Sequence, residues 1–186
     1  MKTLSFVLGA AIASTAATPA QSSIISVGNS LAQSCFHLAR SRQSSPYAIE
    51  TCNRAMTEEA LNFDDRVATL VNRGIVHNLR KEYGLAGRDF DAAIALDAAE
   101  PEAWLNKAVM YVRQGQNATA MPLIERALAL KTSKPALAYY MRGLIKEEAG
   151  DLKAAYADLI RARDLDPNWA DPARELQRYR VARRSD

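Results

Sequence analysis

Between Val67 and Pro167 the chain repeats itself, and this constrains the fold more than any other feature. Small residues return at fixed steps: Gly74 and Ala108 lie 34 residues apart, and Ala108 and Gly143 lie 35 apart. Three segments align on this frame, about 67–100, 101–135 and 136–167. Counted from the first residue of each, position eight is Gly74, Ala108 and Gly143. Position twenty is Ala86, Ala120 and Ala155, and position twenty-four is Phe90, Ile124 and Leu159. Helix formers such as Ala, Leu, Arg and Glu dominate, and strand-like runs are scarce, so each segment reads as two helices. Two antiparallel helices nest only where side chains are minimal on both, which is what positions eight and twenty provide. The larger residue at position twenty-four then fills the space between hairpins. Its burial is worth roughly 2 kcal/mol. One hairpin cannot cover its own apolar face, so the three must stack.

The local punctuation agrees. Asp64 or Asp65 can cap the helix entering the first segment, and Pro101 and Pro135 suit first-turn positions. Gly115 and Gly150 suit the turns inside the second and third hairpins. Pro122 falls near the start of a helix, where it is expected to bend it or delay its start. Residues 168–186 read as a capping helix and basic tail, with Trp169, Ala173, Leu176 and Arg180 on one helical face. The late arginines (Arg174, Arg178, Arg180, Arg183 and Arg184) suit the C-terminal dipole of that helix; an anionic contact is the alternative.

The three segments resemble the tetratricopeptide repeat. Trp104, Ala108, Tyr111, Ala120 and Ala127 fit its pattern in the second, and Tyr139, Gly143, Ala155, Ala162 and Pro167 fit it in the third. The first departs from it, with Leu70 in the aromatic slot, Lys81 where the turn glycine stands and Ala98 in the proline slot. The resemblance implies an all-α fold, a right-handed α-solenoid of antiparallel helix hairpins. It also implies a concave groove that holds a partner polypeptide. Carried onto this sequence, the groove comprises Val71, Asn72, Ile75, Asn78, Leu105, Asn106, Val109, Arg113, Tyr140 and Leu144. Leu79, Val112, Met141, Glu147 and Glu148 occupy further positions on the same helices. Some members of the family grip a C-terminal carboxylate with Lys and Asn, but Val71, Ile75, Leu137 and Met141 stand at those slots here, so that activity does not transfer. The alternative is a groove covered by the chain's own ends, residues 22–28 or the helix after Pro167.

Residues 1–20 have the layout of a secretory signal peptide: Lys2, an uncharged apolar or small run from Leu4 to Ala17, then Thr18, Pro19 and Ala20. Cleavage is expected between Ala16 and Ala20, with residues 21–28 a flexible segment, and an uncleaved anchor is the alternative. No other stretch is long and apolar enough to span a bilayer, so the mature chain is expected in the periplasm or secreted. Removing these residues takes one Lys and no acid from a net charge of +3, leaving +2. That balance argues for neither a nucleic-acid partner nor an acidic surface.

Residues 29–63 contain both cysteines and read as an N-terminal helical hairpin: a helix from about Ser30 to Arg40, a turn over 41–45, and a second helix opened by Pro46. Cys35 and Cys52 lie equidistant from that turn, which places them at one height on neighbouring helices. In an exported protein a disulfide follows. A redox pair would have a shorter spacing, and a metal site built on these cysteines and His37 lacks a fourth ligand.

Nothing in the sequence assembles a catalytic site. His77 sits at position eleven of the first segment, where the second has Tyr111, and reads as a packing residue. Glu147 and Glu148 are neighbours that point to different helix faces. Asn117, Ala118 and Thr119 match a glycosylation sequon, a pattern common by chance. No cofactor and no metal is expected, and the chain reads as a non-enzymatic scaffold of the cell envelope whose partner is another protein or peptide. A self-associating structural protein, a homo-oligomer joined through its terminal helices, is the alternative.

Overall fold

The computed structural model describes residues 30–179, and the expected signal peptide and last arginines lie outside them. Among the described residues there are nine helices and no strand. The first hairpin pairs α1 (Leu31–Arg40) with α2 (Pro46–Glu58). Three more follow: α3 (Phe63–Leu79) with α4 (Tyr83–Leu96), α5 (Pro101–Arg113) with α6 (Asn117–Ala129), and α7 (Pro135–Glu148) with α8 (Leu152–Leu165). The short α9 (Ala170–Leu176) packs on α8. Within this array α3 touches both α1 and α5, and each second helix packs on the first helix of the next hairpin. The result is an α-solenoid of antiparallel hairpins.

Helix starts follow the capping chemistry. The side chains of Ser30, Ser45 and Asn62 accept from Gln33, Ala48 and Asp65 backbone N–H groups, and Pro46, Pro101 and Pro135 open α2, α5 and α7. The cap of α3 is thus Asn62, not Asp64 or Asp65, which fall in its first turn where a carboxylate favours the dipole. Pro122 does not delay α6, which begins at Asn117 and holds the proline within it. The last helix is shorter than expected, since α9 stops at Leu176 and residues 177–178 form a turn. In the first hairpin the Glu59 carboxylate reaches back across it and accepts from the Leu31 and Ala32 N–H groups, so the end of α2 caps the start of α1.

Five helix ends share one closure. Arg42, Lys81, Gly115, Lys131 and Gly150 adopt positive φ. The N–H of the following residue then returns to the carbonyl five before it, as Glu82 does to His77 and Gln116 to Tyr111. Lys81 therefore makes the glycine-type turn without glycine.

The repeating frame is the core. Ala86, Ala120, Ala155, Phe90, Ile124 and Leu159 are fully buried. A Cβ at Gly143 would lie 3.2 Å from the Ala155 carbonyl oxygen, and one at Gly74 only 2.6 Å from the Phe90 ring. Position eight is small because the facing helix occupies that space.

The sequence reading missed a charged counterpart to this apolar frame. Asp89 accepts from Arg73 at 2.6 and 2.9 Å, and Asp158 accepts from Arg142 at 2.7 and 2.8 Å and from Lys146 at 2.8 Å. Both acids are buried, and each pair joins the two helices of one hairpin. The signal was present: Arg73, Lys107 and Arg142 share position seven, and Asp89 and Asp158 share position twenty-three. Lys107 instead reaches Asp91 of the preceding hairpin. Burial alone would raise the Asp158 pKa, but the hydrogen bonds from Arg142 and Lys146 outweigh it and hold the carboxyl below its ordinary value.

Candidate partner-binding groove

The first helices of the hairpins, α1, α3, α5 and α7, enclose one open cleft of about 580 Å³. Helix α3 contributes Asn72, Ile75, Asn78 and Leu79, and α5 contributes Asn106, Val109 and Arg113. Ser133, Lys134 and Leu137 close it from the side of α7, and Phe36, Ala39, Arg40 and Arg42 close it from the side of α1. Six of the residues assigned by resemblance thus share one cavity: Asn72, Ile75, Asn78, Asn106, Val109 and Arg113.

The other four do not line it. Val71 and Leu105, at position five, are 5% and 1% exposed. They pack in the seams to the next hairpin, Val71 with Ala103 and Leu105 with Ala138 and Met141. This corrects their assignment as groove residues, because stacking the next repeat consumes the position-five face. Tyr140 continues the series: its ring lies 4.7 Å from Trp169, the residue that leads into α9. Burial raises the Tyr140 pKa, and Glu175 and Asp171 add to the effect. Leu144 lies on α7 outside the cleft, half-buried.

The C-terminal segment covers the third repeat further. Arg178 pairs with Glu147 at 2.7 Å, and Tyr179 stacks against Tyr156 at 5.4 Å. Burial, and then the adjacent Glu147 carboxylate, push the Tyr179 hydroxyl up to about 12. Self-coverage by the helix after Pro167 is therefore real but confined to the last hairpin. Among the described residues none covers the cleft between α1 and α7, and residues 22–28 lie outside them.

The wall from the first hairpin was absent from the sequence reading. Its signal lies in the spacing from Ala39 to Thr51, which equals that from Gly74 to Ala86, with both residues of the new pair buried. Cys35 and Cys52 are joined by a disulfide across this hairpin and are fully buried, with Cα atoms 4.9 Å apart. The bond therefore holds α1, which carries Phe36, Ala39 and Arg40, against its partner helix.

Two polar features of the cleft bear on recognition. Asn106 donates from Nδ2 to the Glu102 carbonyl at 2.8 Å, which fixes its amide. Asn78 is 5% exposed, and its Oδ1 has no hydrogen-bond partner among the described residues. A buried acceptor without a donor is uncommon.

Away from the cleft, His77 is buried with its Nδ1 2.7 Å from Glu82. That hydrogen bond, and then one from Arg80, hold the Glu82 carboxyl below its ordinary value. The arrangement ties the α3–α4 turn together, and among the described residues no nucleophile is paired with His77. Among the described residues no group of three or more His, Cys, Asp or Glu is placed to hold a metal, and no helix is long and apolar enough to cross a membrane.

The family profile described as tetratricopeptide repeat matches residues 101–134 and 136–168, the second and third segments. The first segment, with its three departures, falls outside that match yet folds into the same hairpin. No curated protein matches the chain in sequence. Among solved structures, MamA from Desulfovibrio magneticus RS-1 is 22% identical with a TM-score of 0.60, covering 78% of this chain and 81% of its own. A tetratricopeptide repeat protein from Parabacteroides merdae is 19% identical with a TM-score of 0.64, covering 79% and 55%. YrrB, titled a TPR protein with an unusual peptide-binding site, is 16% identical with a TM-score of 0.56, covering 80% and 78%. At these identities the likeness is one of fold. Residues 101–134 and 136–168 are tetratricopeptide repeats, and the chain shares the all-helical repeat fold of these structures.

Proposed function

We propose that this chain is an exported, non-catalytic scaffold of the periplasm or cell exterior that binds a segment of another polypeptide in the cleft between α1 and α7. The observation that carries this reading is the cleft itself. Its floor is half-buried Ile75, Val109 and Leu137, its wall includes Phe36 at 42% exposure, and amides from Asn72, Asn78 and Asn106 stand among them. Apolar surface of this kind is stabilised by covering it, and interleaved amides match the donors and acceptors of an extended or helical backbone. The peptide-binding site named for YrrB, a protein of like fold, is consistent with the same use of this scaffold. Export rests on the layout of residues 1–20.

The test is site-specific photo-crosslinking in intact cells. A photoreactive residue at Val109 should yield a discrete adduct identifiable by mass spectrometry, and one at Arg161, an exposed residue on α8, should not. Purified partner should then lose binding to Ile75→Asp and Val109→Asp chains that keep their helical circular dichroism. Equal adducts from both positions, or unchanged binding by the two variants, would refute the groove. Fractionation of cells expressing the full chain tests export, and recovery of uncleaved protein in the cytoplasm would refute it.

A further inference from the structure

The charge on the cleft walls narrows the class of partner, an inference that rests on the groove reading above. Arg40 and Arg42 stand on the wall from the first hairpin, and Arg113 and Lys134 on the opposite side; all four are exposed. Among the described residues lining the cleft there is no Asp or Glu. Elsewhere on the surface Arg54, Arg80, Arg163, Arg174 and Arg178 each pair with a carboxylate, whereas exposed Arg88, Arg126 and Arg161 do not among the described residues. What sets the cleft apart is the gathering of four cations around one apolar trough. Arg40, Arg42 and Arg113 have no carboxylate within 4.0 Å among the described residues, and Lys134 only touches that limit, at Glu102.

The flanking segments do not supply the missing charge. Residues 1–29 contain no Asp or Glu, and residues 180–186 contain three Arg against one Asp. A chain with net charge near zero has thus gathered like charges around an apolar trough, an arrangement that attracts the opposite sign. The buried, unpartnered Oδ1 of Asn78 adds a second requirement, a donor such as a backbone N–H.

We infer that the occupant is an acidic, amphipathic segment of a partner polypeptide. Its apolar side chains lie on Ile75, Val109 and Leu137, its Asp or Glu side chains meet Arg40, Arg42, Arg113 and Lys134, and a backbone N–H reaches Asn78. Two of these arginines belong to the disulfide-bonded hairpin, outside the residues that match the repeat family. Selection therefore depends on a part of the chain that the repeats do not specify.

The probe is a library of random dodecapeptides selected on the immobilised full mature chain, with recovered peptides measured in solution by fluorescence anisotropy. The recovered set should be enriched in Asp and Glu over the input. Its members should bind roughly tenfold more weakly to an Arg42→Glu, Arg113→Glu chain, and affinity should fall steeply with added salt. Replacing the peptides' Glu by Gln should weaken binding by a similar factor, and Asn78→Leu should weaken it independently of salt.

Peptides recovered without acidic enrichment, and insensitive to the charge reversal but lost on Val109→Asp, would overturn the acidic assignment and leave the groove standing. Recovered peptides indifferent to Val109→Asp, or no recovery at all, would overturn both. Concentration-dependent self-association, abolished by the same charge reversal, would assign the cleft to a second copy of this chain and overturn the inference.

Discussion

Three helical glycines differ sharply in what a methyl group would meet, so glycine-to-alanine substitution weighs backbone propensity against packing. In each, alanine favours the helix by up to about 1 kcal/mol. At Gly84, near the start of α4, the added Cβ meets nothing within 4 Å, so Gly84→Ala should stabilise by about 0.5–1 kcal/mol. At Gly143 it meets the Ala155 carbonyl oxygen and Leu159 Cγ at 3.2 Å. A shift of a few tenths of an ångström there offsets the propensity gain, so Gly143→Ala should be nearly neutral. At Gly74 the Cβ lies 2.6, 2.9 and 3.0 Å from three atoms of the Phe90 ring, against an ordinary contact of about 3.5–4.0 Å. Phe90 is fully buried and cannot swing into solvent. Overpacking costs roughly 1–3 kcal/mol, so Gly74→Ala should lose about 1–2 kcal/mol net. Urea unfolding followed by helical circular dichroism measures the series. Adding Phe90→Leu to Gly74→Ala should restore part of the loss if the ring is the obstacle. A Gly74→Ala chain as stable as the parent, or the order Gly84, Gly143, Gly74 reversed, would refute the close-approach reasoning behind the fold.

Other outcomes follow from single features. Lys81 holds φ of 63°, a conformation that costs a non-glycine residue about 1–2 kcal/mol, so Lys81→Gly should raise the urea midpoint. Asp158 has its pKa depressed in the folded state, so its contribution is present above the ordinary value of 3.8 and lost as pH falls through the lower folded value. Asp158→Asn should therefore destabilise by about 2 kcal/mol at neutral pH, and the gap to the parent should close in acid unfolding experiments. Replacing Cys35 and Cys52 by Ala removes a 17-residue loop closure worth roughly 3 kcal/mol. Hydrogen exchange should then show α1 and α2 opening while α5 to α8 keep their protection, because repeat arrays couple mainly to neighbours. Leu105→Asp should unfold the α5–α7 seam, seen as lost helicity, instead of acting as a surface change.

Local rules made most of the architecture legible. Residues separated by one repeat must face the same neighbour, so small side chains at positions eight and twenty dictate hairpins from the sequence alone. Proline at the first turn and the symmetric cysteines fixed the helix starts and the disulfide in the same way. The groove was only half legible. Positions six and nine carried over in the first two repeats, as Asn72, Asn106, Ile75 and Val109 show. They did not in the third, where Met141 is buried in a seam and Leu144 lies outside the cleft. Position five did not, since whether Val71, Leu105 and Tyr140 face a ligand or the next hairpin depends on how far successive hairpins rotate. That rotation is set by the packing of many side chains at once. The wall of Phe36, Arg40 and Arg42, the Arg73–Asp89 and Arg142–Asp158 pairs, and the Trp169 cover over Tyr140 are likewise contacts between separate elements. Periodicity within one helix determines which face is apolar. Only the stacked solenoid decides which parts of that face remain uncovered, because burial belongs to neighbours that the period alone does not place.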